Sequence, residues 1–232
     1  MIGWRARIGV LLPADNAVLE HEVNRLPLPG ISFHIARMFP LELGKLPEDA
    51  LQHIPSLKEC HVNFMVYACA ASSFMFGPEA NRDLEQEIKD RSGLDAVTAT
   101  SSMVLSLKAL GIKKVALATP YWRELDEKLL AYFAAGEVKV VHIESLQLDN
   151  WEAMNNQPAD AVYRLVKRAD HPDAEGLLIL STNLPTFEVL QTLEQDLRKP
   201  VVSTNQGMIW VACRRLGIRD SLEGYGRLWK EI

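Results

Sequence analysis

Eight short runs rich in apolar and β-branched residues alternate with amphipathic stretches along the chain, and this alternation leaves few architectures open. The runs cover residues 7–12, 32–38, 62–68 and 95–98 in the first half, then 114–118, 139–145, 176–180 and 200–203 in the second. Val115-Ala116-Leu117-Ala118 and Leu177-Leu178-Ile179-Leu180 have no polar alternation, and a strand without a polar side must be covered on both faces. The stretches at 77–92, 100–110, 121–135, 159–169, 186–197 and 207–216 carry a helical period. Strand–helix alternation of this kind predicts an α/β fold with parallel sheets and helices on both faces.

The pattern also repeats. Lys114-Val115-Ala116-Leu117-Ala118-Thr119-Pro120 echoes Arg7-Ile8-Gly9-Val10-Leu11-Leu12-Pro13, an offset of 120 − 13 = 107, and the strand ends at Cys69 and Ser181 lie 181 − 69 = 112 apart. A chain of 232 residues can form two units of roughly 100 residues each. Two similar lobes are therefore expected to face each other, residues 1–112 plus 206–232 forming the N-terminal lobe and 113–205 the C-terminal one. Ligands of open α/β sheets bind beyond the carboxyl ends of the strands. The loops at Pro13, Cys69, Pro120 and Ser181 are expected to converge on one cleft between the lobes.

Composition narrows the partners. The net charge is −5, and no basic cluster exceeds two residues, as at Arg214-Arg215, so no surface tracks a phosphate backbone and nucleic acid is excluded. Arg5 and Arg7 precede an apolar run that stops at Pro13 and meets Asp15, which reads as a first buried strand rather than a signal sequence. No stretch approaches the roughly 20 apolar residues of a membrane span. Cys60, Cys69 and Cys213 have no metal-binding spacing and leave an odd thiol, which fits a reducing, cytoplasmic setting. Neither a P-loop nor a G-x-G-x-x-G motif is present, so no nucleotide cofactor is expected.

The chemistry concentrates at strand ends. The run 62–68 breaks off at Cys69 into Ala70-Ala71-Ser72-Ser73, small residues able to turn tightly into a helix. A thiol there can be a plain buried hydrophobe. It can also be a reactive group, because backbone N–H groups and the dipole at a helix start favour thiolate and can hold a substrate carboxylate. Cys60 and Cys213 read as core. Ser181 opens Ser181-Thr182-Asn183, a triplet that reads equally as a helix cap and as the counterpart of Cys69; no histidine is placed to activate its hydroxyl. Asn16 reads as a cap or a carboxylate ligand. Tyr121, next to Pro120, reads as a donor to the same ligand or as core. Asn150 sits in a turn that alone carries little signal. Phe74, Phe76 and Trp151 can line a pocket or fill the core.

Taken together, residues 7–16 with Leu19-Glu20, then Tyr67-Ala68-Cys69, Ser181-Thr182-Asn183-Leu184, Lys199-Pro200-Val201-Val202-Ser203 and Gly224-Tyr225-Gly226-Arg227-Leu228 resemble the maleate cis-trans isomerase and arylmalonate decarboxylase branch of the aspartate/glutamate racemase superfamily. The resemblance spans nearly the whole chain. It implies two Rossmann-like lobes related by pseudo-twofold symmetry, no metal, no organic cofactor, and chemistry on a small mono- or dicarboxylate at the carbon beside the carboxylate. A homo-oligomer is compatible with it. Cys69 corresponds to the nucleophile of maleate isomerases, and Asn16, Tyr121 and Asn150 to residues that bind substrate carboxylates there. Ala70, Ala71, Thr182 and Asn183, beside the two catalytic positions Cys69 and Ser181, complete the expected substrate site.

The departures are informative. Ser181 stands where both subgroups carry a cysteine, decarboxylases have glycine at the Cys69 position, and Ala70 and Ala71 replace hydroxyl residues of the carboxylate pocket. The sequence thus favours an isomerase- or racemase-type enzyme, in which Cys69 adds to a double bond or removes an α-proton. The alternative is a decarboxylase, in which Cys69 protonates an enediolate. A binding protein without turnover is the third reading.

Overall fold

Every apolar run named above is a strand, with ends displaced by at most two residues. The computed structural model describes residues 1–39 and 42–230. The first part of the chain runs through β1 (Ala6–Pro13), α1 (Leu19–Val23), β2 (Ile31–Met38), α2 (Leu46–Glu59), β3 (Phe64–Tyr67), α3 (Ala70–Phe74), α4 (Gly77–Ser92), β4 (Ala96–Thr98) and α5 (Ala99–Ala109). The second runs through β5 (Lys114–Thr119), α6 (Arg123–Ala134), β6 (Lys139–Ser145), α7 (Trp151–Asn155), α8 (Ala159–Ala169), β7 (Gly176–Ile179), α9 (Leu190–Leu197), β8 (Val201–Ser203) and α10 (Thr204–Arg215).

The strands form two four-stranded parallel sheets, ordered β2-β1-β3-β4 and β6-β5-β7-β8. The second order repeats the first, which is the pseudo-twofold relation. The inner strands β3 and β7 are buried at every position, whereas the edge strands β2 and β6 are partly exposed along most of their length. That difference explains why the inner strands read as continuous apolar runs and the edges carry Arg37, His34, His142 and Glu144.

Local chemistry sets the helix ends. Thr98 at the end of β4 and Ser203 at the end of β8 each accept a hydrogen bond from the backbone N–H three residues on, Ser101 at 3.1 Å and Gln206 at 3.2 Å. Each strand therefore passes straight into a capped helix, and α10 starts at Thr204 rather than at 207. Pro78 sits in the first turn of α4, and Gly93, at φ +71°, ends it. The expected helix at 186–197 begins only at Leu190, and the backbone N–H groups of Thr186 and Phe187 ahead of it bond Glu22 on α1.

α10 is buried from Thr204 to Cys213 and packs against α5 and β4 of the first part and β8 of the second. Its Gly207 permits the approach to α5: a Cβ there would lie 2.9 Å from the Ser106 hydroxyl. Across the same seam, buried Glu22 accepts from Phe187 N–H at 2.7 Å, from the Asn205 side chain at 2.6 Å and from Thr186. Burial pushes its carboxyl up to about 7 against these donors. Cys213 lies in the core as expected, but Cys60 does not: it follows the last turn of α2 and is exposed. The expected N-terminal lobe includes residues 231–232, which lie outside the described residues. Among the described residues no helix is long and apolar enough to cross a membrane.

Candidate active site

A small pocket opens where the loops after β1, β3, β5 and β7 meet. Cys69, Tyr121, Thr182, Asn183 and Asp15 form its polar part, and Pro13, Leu43, Leu46 and Trp151 form an apolar wall. Ala70 and Ala71 complete the lining beside the thiol. Both sheets contribute, as the repeat predicts.

Cys69 caps α3 from an extended conformation and is 6% exposed. The backbone N–H groups of Ser72 and Ala71 and the Ser72 hydroxyl lie where they favour a charge on the sulfur. Burial nevertheless dominates and pushes the thiol above its ordinary range, with Asp15 adding to the rise. α3 has only five residues, and its few N–H groups do not outweigh the loss of water. Cys69 rests as S–H.

Ser72 and Ser73 do not replace the hydroxyls missing at Ala70 and Ala71. The Ser72 hydroxyl pairs with Tyr67 at 2.5 Å, and that of Ser73 bonds Thr100 and the Ala70 carbonyl. Neither hydroxyl is among the groups that line the pocket.

Tyr121 is 1% exposed, leans on Phe74 at a ring-centroid distance of 5.9 Å, and bonds Ser181 through its hydroxyl. Burial raises its pKa far beyond the working range, so it remains a neutral donor. Ser181 is buried, has a left-handed backbone at φ +89°, and accepts from Asn183 N–H at 3.1 Å. Its hydroxyl orients Tyr121 and the loop, and it lies behind the lining residues.

Asn16 also lies behind the wall. Its carbonyl oxygen accepts from Val18 and Leu19 N–H, and its amide donates to the Thr182 hydroxyl at 3.0 Å and to Asn183 at 3.3 Å. It thus caps α1 and crosses the seam at once. The structure does not bring Asn150 to the pocket: it is exposed and caps α7 by accepting from Ala153 N–H at 2.7 Å. Trp151 lines the pocket, backed by Trp122 at 5.3 Å, while Phe74 is core and Phe76 is exposed.

Sequence reasoning passed over two residues. Asn155 donates to the Asp15 carbonyl at 2.9 Å and accepts from Asn183 at 3.1 Å and from Ala17 N–H at 3.2 Å, tying α7 to the β1 loop. Asp15 puts a half-buried carboxyl into the pocket, raised by burial and held by the Asn183 side chain. Its position two residues past the β1 proline was the available signal.

A pair of like-ordered parallel sheets with one buried thiol where their loops meet defines a two-lobed α/β protein with the site at the lobe junction. The arylmalonate decarboxylase family model matches residues 35–229, and the chain belongs to that family. It is 29% identical over 224 residues to arylmalonate decarboxylase of Bordetella bronchiseptica, covering 95% of this chain and 92% of the relative. It is 25% identical over 240 residues to maleate isomerase of Nocardia farcinica, covering 97% and 96%. A solved structure of liganded arylmalonate decarboxylase, with one glycine changed to cysteine and one cysteine to serine, superposes with a TM-score of 0.89 at 28% identity, covering 98% of this chain and 100% of that one.

Proposed function

We propose that this chain is a cofactor-independent enzyme acting at the carbon beside a carboxylate, and that its reaction is decarboxylation of a 2-substituted malonate with Cys69 as the acid. The observation that carries this reading is a buried thiol in a pocket whose lining also includes Pro13, Leu43, Leu46 and Trp151. The retained carboxylate sits on the N–H groups at the start of α3 and on the Tyr121 hydroxyl. The other faces Pro13, Leu43 and Leu46, where it lacks water and donors. The C–C bond to it breaks, carbon dioxide leaves, and the electron pair spreads into the retained carboxylate as an enediolate. The Cys69 S–H bond then breaks as the new C–H bond forms. Ser181 positions Tyr121, and Asn16, Thr182 and Asn183 hold the lobes in register.

The resemblance to arylmalonate decarboxylase supports this reading, as does the likeness to the double variant, since decarboxylases carry glycine where Cys69 stands and cysteine where Ser181 stands. Residues 1–112 plus 206–232 and residues 113–205 are the two lobes of the proposal, and three free thiols suit a cytoplasmic setting. The second reading, cis-trans isomerisation through covalent addition of Cys69, is supported by the match to maleate isomerases over 96% or more of this chain. It requires thiolate, which substrate binding would have to induce.

Proton NMR in deuterium oxide separates the two. With phenylmalonate, the decarboxylase forms α-deuterated phenylacetate and carbon dioxide, and Cys69→Ala does not. With a prochiral 2-methyl-2-phenylmalonate, the product hand is opposite to that made by an enzyme whose thiol occupies the Ser181 position. Fumarate formed from maleate, with no carbon dioxide from any malonate, would overturn the first reading in favour of the second.

A further inference from the structure

Among the described residues lining the pocket, three carry exchangeable protons on ionisable groups: Cys69, Tyr121 and Asp15. Decarboxylation consumes one proton per turnover at carbon. Each turnover therefore leaves Cys69 as thiolate, and a proton has to reach a sulfur that is 6% exposed. Tyr121 is poorly suited to this, because its hydroxyl is fixed to Ser181 and burial keeps it neutral. Thr182 and Asn183 are not acids at any working pH. No histidine or lysine lines the pocket among the described residues.

Asp15 remains. It is partly exposed where Cys69 is buried, and it shares the pocket with the sulfur. Its carboxyl is held by the Asn183 side chain and its own backbone N–H, and Asn155 anchors its carbonyl. Arg37 on β2 is the cation that faces it, but that guanidinium is bonded to Glu20 and to the Asn16 carbonyl. Asp15 is thus not locked as a carboxylate by an ion pair, and burial favours its protonated form.

We infer that Asp15 is the proton relay of this pocket, taking protons from solvent and returning them to Cys69 after each turnover. The inference rests on the decarboxylase reading. In the relay step the Asp15 O–H bond breaks as the Cys69 S–H bond forms, turning thiolate and carboxylic acid into thiol and carboxylate. Hydronium or water then reprotonates Asp15. The relay makes the chemical step independent of Asp15 and the recharging step dependent on it.

Rapid-quench measurement of carbon dioxide from phenylmalonate tests this. Asp15→Asn keeps the shape and the Asn183 contact but carries no acid. Its first turnover is expected within about threefold of the parent, followed by turnovers slowed about 100-fold, the scale of a lost acid–base group. Added formate buffer restores the later turnovers, and Asp15→Glu retains most of the rate. Steady-state rates within twofold of the parent, or equal slowing of first and later turnovers, would overturn the relay. A second arm needs no substrate: in a Cys60→Ser background, the pH of half-maximal Cys69 alkylation by iodoacetamide falls in Asp15→Asn, because the carboxylate no longer opposes the thiolate. Superimposed alkylation curves would overturn the relay even if no malonate is turned over, an outcome that by itself counts against the proposed reaction.

Discussion

Glu22 offers a quantitative test of how the two halves are joined. Its carboxyl is 6% exposed and lies between α1, the 182–187 loop and α10, and burial raises it from an ordinary 4.5 to about 7. The folded protein holds this proton more tightly than the unfolded chain, so the stabilisation is complete below 4.5 and is lost as pH rises through about 7. A rise of about 2.5 pKa units, at 1.36 kcal/mol each, amounts to about 3 kcal/mol in all. Because some is already lost by pH 5, about 2.5 kcal/mol should disappear between pH 5 and pH 8. Glu22→Gln cannot titrate and should lack this slope, although its amide N–H₂ faces donors and lowers stability at every pH by about 1–3 kcal/mol. Asp126, raised to about 6 by burial, gives a slope of the same sign in both proteins and cancels in the comparison. Urea unfolding followed by tryptophan fluorescence at pH 5, 6, 7 and 8 gives both stability curves. If they run parallel, the carboxyl is ionised throughout and the burial argument is wrong.

Three further outcomes follow from the site and its supports. Of the three thiols, exposed Cys60 should react with a disulfide reagent within seconds at pH 8, Cys69 slowly, and Cys213, pushed up to about 12, not at all in the folded protein; peptide mass spectrometry after timed quenching identifies each. Tyr121→Phe should keep the melting temperature within a few degrees while lowering kcat by about 100-fold, the scale of one lost donor to a developing oxyanion, measured by carbon dioxide release. Gly207→Ala should lower stability by about 1–3 kcal/mol, the usual range for overpacking, because the new Cβ would lie 2.9 Å from Ser106 Oγ; denaturant unfolding measures it.

The fold was legible because parallel sheets bury their central strands on both sides, so continuous apolar runs such as Leu177-Leu178-Ile179-Leu180 mark them directly. The repeat of the first strand–proline unit 107 residues later, at Pro120, gave the two-sheet plan. Short helices escaped this reading. α1 and α7 have five residues each, too few for a periodic pattern, and are fixed by caps from Asn16 and Asn150 and by contacts across the seam. The loop ahead of α9 is held by Glu22, 164 residues before Thr186, and a local pattern holds no trace of such a partner.

The site shows the same division between what a strand end announces and what packing decides. Cys69, Tyr121, Thr182 and Asn183 were found because they follow strands whose ends must converge. The sequence left the charge state of Cys69 open, because position at a helix start says nothing of water access; in the structure burial opposes the N–H groups of Ala71 and Ser72 and prevails. Asn16, read as a cap or a carboxylate ligand, and Asn150, expected on substrate by resemblance, both cap helix starts through their side-chain oxygens, a competition that amide side chains there commonly resolve toward capping. Asp15 is the converse case: the sequence reading used it only as the end of the first apolar run, yet it alone supplies a carboxyl to the pocket lining among the described residues. A cleft lined, among the described residues, by one thiol, one carboxyl and no cation keeps both groups charged only against their mutual repulsion, with Arg37 facing Asp15 as the partial counterweight. The proton that relieves this repulsion is the proton the proposed reaction consumes, so the absence of a second thiol at Ser181 leaves the pocket short of a symmetric partner but not of an acid.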